Sequence, residues 1–197
     1  SLSLAQELSL SSLHWLFTPQ AQTERLETHG LLRRVGYQFH WNNQDYTDFD
    51  HFLAGFSSRK RKKIRHERHI VAHAGVTLEV CSGAQMTPAL WDVFYDFYHL
   101  TIRKHGAIPY LTRAFFHELG RNMPEYIVMI FAHHRSRPVA AALNLRGTDT
   151  LYGRYWGGED GYSGLHFETC YYRAIDYCIQ HGLRRFEAGA QGEHKLA

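Results

Sequence analysis

Tyr126-Ile-Val-Met-Ile-Phe-Ala132, then Val139-Ala-Ala-Ala-Leu-Asn-Leu145, then Leu151-Tyr-Gly-Arg-Tyr-Trp156: these three apolar runs decide the fold. The first is unbroken and rich in β-forming residues, as in a central strand covered on both faces. His133 to Pro138 is polar and ends in proline, which marks a hairpin connection, and Gly147-Thr-Asp-Thr150 marks a second turn. The three alanines of the second run leave room for a closely packed neighbour. Strict alternation in the third would put Leu151, Gly153 and Tyr155 on one face and Tyr152, Arg154 and Trp156 on the other.

Downstream comes Gly157-Gly-Glu-Asp-Gly-Tyr-Ser-Gly164, with Ser163 placed to cap a helix. In that helix Phe167, Cys170, Tyr171, Ala174, Ile175 and Cys178 recur at helical spacing, and Gly182 stands where a C-terminal glycine stops it. Leu183 to Ala188 resumes as a strand. A helix joining two strands is as a rule a right-handed crossover, so those two strands should be parallel. The expected class is α/β, a mixed central sheet flanked by helices.

Upstream, Ser1 to Ser12 reads as helix, Leu13 to Phe17 as a short strand, Pro19 to His29 as helix and Leu31 to Trp41 as strand. Asp48 can cap a short helix through Phe56, and a basic helix follows to about Ala74. Val76 to Cys81 is a strand. Thr87-Pro88 starts a helix with the apolar stripe Trp91, Phe94, Tyr95, Tyr98 and Ile102, and Thr112 caps a further short helix. The boundary between two units falls near Ser57, giving residues 1–56 and 57–197.

At 197 residues the chain can bury a core as one domain or one and a half. No apolar stretch is long enough to span a bilayer. Cys81, Cys170 and Cys178 form no metal-ligand pattern, and Cys170 and Cys178 are two helical turns apart, too far for a disulfide. Reduced core cysteines fit a cytoplasmic protein. The net charge is only +3, but Arg59-Lys-Arg-Lys-Lys-Ile-Arg-His-Glu-Arg68 holds seven of the 22 basic residues against one acid. The remainder has 15 basic and 18 acidic residues, so a mildly acidic body carries one basic segment.

That segment, through Arg59, Lys60, Arg61, Lys62, Lys63 and Arg65, is a candidate for binding RNA, a nucleotide-linked precursor or another anion, or else a solvated helix face. His66, His69 and His73 share one of its faces, but no further ligand cluster completes a metal site, and none is assigned. The glycine-rich loop leads into a helix N-terminus, so Gly157, Gly158 and Glu159 are candidates for substrate binding: backbone N–H groups for an anion, the acid for an amine. His166 and Glu168, in the first helical turn beside the Tyr155 strand, are candidates for taking a proton from an attacking amine. Gln191, Glu193, His194 and Lys195 follow the last strand, where open α/β sheets bind ligands. No covalent nucleophile signature is present, so direct attack on an activated acyl donor is the simpler chemistry.

Four stretches carry a resemblance to a known family: Arg59 to Arg68, Tyr152-Gly-Arg-Tyr-Trp-Gly-Gly158, Leu165-His-Phe-Glu-Thr-Cys-Tyr-Tyr172 and Phe186-Glu-Ala-Gly-Ala-Gln-Gly-Glu-His-Lys195. By these the chain resembles the FemAB-like branch of the GNAT acyltransferase superfamily. The resemblance covers residues 57–197, with 1–56 similar to the tail of a preceding GNAT-like unit, and the family pattern continues beyond Ala197. It implies transfer of an acyl or aminoacyl group to an amine, from aminoacyl-tRNA or an acyl thioester such as acyl-CoA. In the better-known relatives the donor is aminoacyl-tRNA and the acceptor a peptidoglycan precursor. The resemblance does not imply the substrate of this branch, for which a small-molecule or peptidoglycan-precursor acceptor and tRNA contact through the basic helix are the expectations. Independently of the resemblance, topology should bring the end of the third strand, the first turn of the helix and the stretch after the last strand to one sheet edge. Tyr155, His166, Glu168, Gln191, His194 and Lys195 should then border one cleft, with Glu168, His166, Tyr155 and Lys195 as the expected catalytic set. The pyrophosphate-binding Arg/Gln-x-x-Gly-x-Gly/Ala loop of acetyl-CoA-using relatives is replaced here by Gly157 to Gly164. The alternative is a recognition module that kept the fold and binds a cell-wall precursor, RNA or protein without catalysis.

Overall fold

The computed structural model describes residues 2–36 and 38–189. The chain divides into two compact units, 1–37 and 38–197. The sequence boundary at Ser57 lies later, because residues 38–56 are built into the larger unit.

The first unit has two helices, α1 (Leu2–Glu7) and α2 (Gln20–Thr28). Neither expected strand forms there: residues 13–17 and 31–36 have no regular structure. None of the described residues 2–36 is buried, and Leu2, Leu4, Leu8, Leu10, Leu16, Phe17, Leu32 and Val35 are all exposed.

The second unit holds a six-stranded sheet in the order β1-β6-β5-β4-β3-β2. The strands are β1 (His40–Asn42), β2 (Val76–Ser82), β3 (Ile127–His134), β4 (Arg137–Arg146), β5 (Thr150–Gly158) and β6 (Arg185–Glu187). The meander β2 through β5 is antiparallel throughout, as the apolar runs require. Arg135 and Ser136, both with positive φ (52° and 63°), make the tight two-residue turn of the β3–β4 hairpin. The crossover then returns β6 parallel to β5, with Thr150 to Tyr152 registered on Arg185 to Glu187.

One face of the sheet is covered by α5 (Pro88–Lys104) and α6 (Arg113–Asn122), capped by Thr87 and Thr112. Their Trp91, Phe94, Phe97, Tyr98 and Phe116 meet Met129, Phe131 and Leu143 of the sheet. The other face is covered by α3 (Phe49–Ala54), α4 (Ser58–His73) and the crossover. Asp48 caps α3 by accepting the His51 N–H at 2.7 Å. In the crossover, α7 (Leu165–Phe167) leads through a π-helical turn at Glu168–Tyr172 into α8 (Arg173–Gln180).

Three local expectations are corrected. The residue at the N-terminus of α7 is Gly164, not Ser163; it has φ +77° and no side-chain cap bond. The glycine-rich loop is shorter than its sequence, because β5 continues through Gly157 and Gly158. A bulge between Leu143 and Asn144 pairs them with Tyr155 and Gly153, leaving Arg154 as the extra residue. It reverses the alternation of β5: Leu151 and Trp156 pack with the α3/α8 cluster, and Tyr155 with the α5/α6 cluster.

Candidate acyl-transfer site

The parallel pair β5/β6 stops at Tyr152↔Glu187, while β5 runs on to Gly158 paired only with β4. Among the described residues, the β6-side edge of residues 153–158 has no ladder partner. The pairing thus ends at the carboxyl ends of two parallel strands, beside the bulge and at the start of the crossover. Open α/β sheets bind ligands at such points.

Tyr155 lies beyond the last β6 pair and packs on the α5/α6 face. Its ring meets Tyr98 (5.2 Å between centroids) and Phe116, and its hydroxyl lies 2.7 Å from the Tyr110 hydroxyl. Burial, then the Tyr110 contact, pushes the Tyr155 phenol well above its usual value, so it remains a neutral hydrogen-bonding group.

His166 stands on the opposite face. Its ring packs 5.0 Å from Trp156 and 5.5 Å from Tyr171. Glu168 begins the π-turn on that same face and is only 5% exposed. Arg68 of α4 donates to its carboxylate from Nε (3.1 and 3.2 Å) and Nη2 (3.0 Å), while its guanidinium lies over Phe49, 4.4 Å from the ring centre. Burial raises the Glu168 carboxyl above its ordinary value, and Arg68 pulls it back in part. One turn on, Tyr172 donates a short hydrogen bond to Glu67 of α4. Adjacent residues of α4 thus clasp two residues of the π-turn, a helical irregularity frequent at functional sites. His166 and Glu168 share the crossover but turn to different partners, the one to Trp156 and Tyr171 and the other to Arg68, and Tyr155 lies across the sheet from both.

Other candidates resolve differently. Gly157 and Gly158 are buried in β5. A Cβ at Gly157 would come within 2.0 Å of the Phe97 carbonyl, so the glycine there lets α5 sit on the strand. Glu159 is paired with Arg137 (Nη2 to Oε2, 2.9 Å), which holds its carboxyl below the usual range. Gln191, Glu193, His194 and Lys195 lie outside the described residues.

The basic helix forms as expected, but its cations are not equivalent. Arg61 donates to the Phe56 carbonyl (2.6 Å) and to Ser58 Oγ (3.2 Å). Arg65 pairs with Asp50 at 2.8 Å, and Lys63 with Glu67 at 3.8 Å. Among the described residues Arg59, Lys60 and Lys62 have no such partner. Ser58, Arg61, Lys62, Arg65, His66 and His69 line an open groove of about 590 Å³ along this helix. Among the described residues no three of His, Cys, Asp or Glu gather as a metal site would need.

Two participants were invisible in the sequence. Arg68 was read as one more charge of a run, and its partner is 100 residues away. Tyr110 sits in the α5–α6 connection, 45 residues from Tyr155, in no motif.

The solved structures similar to this chain share its fold at low identity. FemX superposes with TM-score 0.57 at 11% identity, over 96% of this chain and 67% of that one. L-PGS from Bacillus licheniformis gives 0.56 at 11%, over 82% and 49%. The C-terminal domain of a putative lysylphosphatidylglycerol synthetase from Agrobacterium fabrum gives 0.54 at 14%, over 70% and 44%. The chain therefore spans about half to two thirds of these proteins. No curated protein matches its sequence. No helix among the described residues is long and apolar enough to cross a membrane. The model of the FemAB-like family, described as peptidoglycan biosynthesis/recognition, matches residues 1–197. With its GNAT-like mixed sheet and crossover, the chain belongs to the FemAB-like family.

Proposed function

We propose that this protein transfers an acyl or aminoacyl group from an activated donor, aminoacyl-tRNA or an acyl thioester, to the amine of a small molecule or peptidoglycan precursor. The observation that carries the reading is the end of β5/β6 pairing at Tyr152↔Glu187, at the carboxyl ends of two parallel strands, where open α/β sheets bind ligands. The amine attacks the acyl carbon directly, a tetrahedral oxyanion forms, and its collapse expels the donor's oxygen or sulfur. His166 is the better candidate for the proton acceptor, because both Glu168 oxygens are engaged by Arg68. Glu168 then positions the π-turn and α4. Tyr155, kept neutral, and Lys195 are the candidates for donors to the oxyanion, a role worth on the order of 10²–10³ in rate per donor. The unpartnered cations Arg59, Lys60 and Lys62 suit the phosphates of the donor. Of residues 1–56, we read 1–37 as the tail of a preceding GNAT-like unit, in keeping with the exposed leucines of the described residues 2–36. The cytoplasm is the compartment where such donors and three free cysteines coexist.

The same Arg68–Glu168 pair favours the second reading, a recognition module, since it neutralises the best-placed acid. Label transfer from charged tRNA and from acyl-CoA to lysine, small amines and a peptidoglycan precursor decides between them. On the transferase reading, His166→Asn lowers turnover by about 10²–10⁴ while the fold persists. Equal turnover in wild type, His166→Asn and Glu168→Gln, or no transfer with any donor alongside tight precursor binding, gives the recognition module.

A further inference from the structure

We propose that the outer edge of β2, with the groove between it and α4, binds an extended acidic peptide by strand addition. This is independent of the acyl-transfer reading.

β2 ends the sheet, and its register with β3 is unbroken over seven pairs, Val76↔His134 to Ser82↔Val128. Among the described residues its backbone bonds outside the β3 ladder only at its last residue, where the Ser82 N–H donates to Gln85 Oε1 at 2.8 Å. Sheets usually blunt such an edge with proline, lysine, a bulge or a covering element. β2 has neither proline nor lysine, and its single charge, Glu79, turns back to His133 at 2.9 Å. A long, flat, unprotected edge is a template for another strand.

A second feature selects the strand. Val76 and Leu78 project from β2 into a groove of about 320 Å³ floored by Val71 and Ala72 of α4 and rimmed by Arg65, Arg68 and His69. The acid in its wall, Glu168, is spoken for by Arg68 through Nε and Nη2, which leaves Arg68 Nη1 available. At the mouth, Asp50 holds Arg65, but both side chains are more than half exposed, and such pairs are weak. A guest strand therefore meets apolar surface and positive charge on its groove side, and Thr77 and Glu79 on its other side. That pattern suits alternating apolar and acidic residues on one face and neutral polar residues on the other. A second copy of the chain is disfavoured by the same edge. Full antiparallel pairing of two β2 strands centres on Glu79 and sets it against its own copy, and like charges directly opposite are destabilising.

The probe is an end-blocked heptapeptide, threonine at odd positions and valine, aspartate, valine at even ones, with a lysine counterpart. Binding is read by fluorescence anisotropy on the full protein, and location by hydrogen–deuterium exchange. The aspartate peptide should bind, more weakly as salt rises, and slow exchange of residues 76–82. The lysine peptide, and Ala72→Glu at an exposed helical position, should each weaken binding about tenfold or more, and Arg65→Gln by less. The proposal is overturned if neither peptide binds, if both bind alike, or if protection falls outside β2. Concentration-dependent protection of β2 without peptide would also overturn it, since the occupant would be a second copy.

Discussion

The two faces of the sheet are built to opposite plans. On the α5/α6 face the contacts are dry and aromatic: Phe94 meets Phe116 edge-on (5.3 Å, 83°), and both are fully buried. On the α4/crossover face a buried carboxylate is paired with a half-buried guanidinium, a π-turn interrupts the helix, and Thr169 Oγ1 and Arg173 Nε are buried without a hydrogen-bond partner. Burying charge and leaving polar atoms unsatisfied costs stability, and folds accept such costs mainly at functional sites. The aromatic face supplies stability and one candidate ligand group, Tyr155, while the polar face holds His166, the Arg68–Glu168 pair and the cations of α4.

The largest expected effect breaks the aromatic side. Phe116→Ala should cost about 3–5 kcal/mol in urea denaturation, because the ring is fully buried and its neighbours cannot collapse into the space. Ligand binding at α4, measured below the denaturation midpoint, should be unchanged. A loss under about 1 kcal/mol would mean that the face is loosely packed, and the contrast between the two faces would fail.

Next in size is the buried pair. Arg68→Met leaves the Glu168 carboxylate without compensation and should cost about 3 kcal/mol at neutral pH. The sign of its pH dependence follows from the carboxyl's position. Burial holds Glu168 above its ordinary 4.5 even with Arg68 present. A raised acid makes its contribution in full below the unfolded value and loses it as pH rises through the folded one. Removing Arg68 raises the carboxyl further, so Arg68→Met should be nearly harmless near pH 4 and most damaging near pH 7. Denaturation curves of wild type and variant at both pH values test this. A constant difference would mean that Arg68 acts through its packing on Phe49 and not through charge.

The same contrast explains what the sequence disclosed. Unbroken runs such as Tyr126 to Ala132 announce a doubly covered strand, and capping pairs such as Thr87-Pro88 announce a helix, because both signals are local. The bulge at Arg154 is not local: it arises where β4 and β5 fall out of step, and with it went the assignment of Tyr155 to a face. Residues 31–41 read like a strand, yet among the described residues only His40–Asn42 finds a partner, in β6 some 140 positions away. Of the site, His166 and Glu168 were legible from their place in the first turn of an evident helix. The clasp by Arg68 was hidden inside a charge run, where each cation looks like its neighbours.

The smallest stability effect is also the sharpest test of that run. Among the described residues the side chains of Arg59, Lys60 and Lys62 have no hydrogen-bond or ion-pair partner, though Lys60 is half-buried, whereas Arg61 ties the helix to Phe56 and Arg65 reaches Asp50. Replacing the three together by glutamine should shift stability by less than about 0.5 kcal/mol, since exposed charges without partners contribute little. If the helix holds the phosphates of an RNA donor, the same variant should lose affinity for tRNA. The slope of log K against log salt should become shallower by about 2–3, near one unit for each phosphate contact removed. Arg61→Gln alone should do the reverse, lowering stability with a smaller change in slope. An unchanged slope in the triple variant would return the segment to a solvated helix face. The polar side of the sheet would then keep its buried pair but lose its claim to the donor.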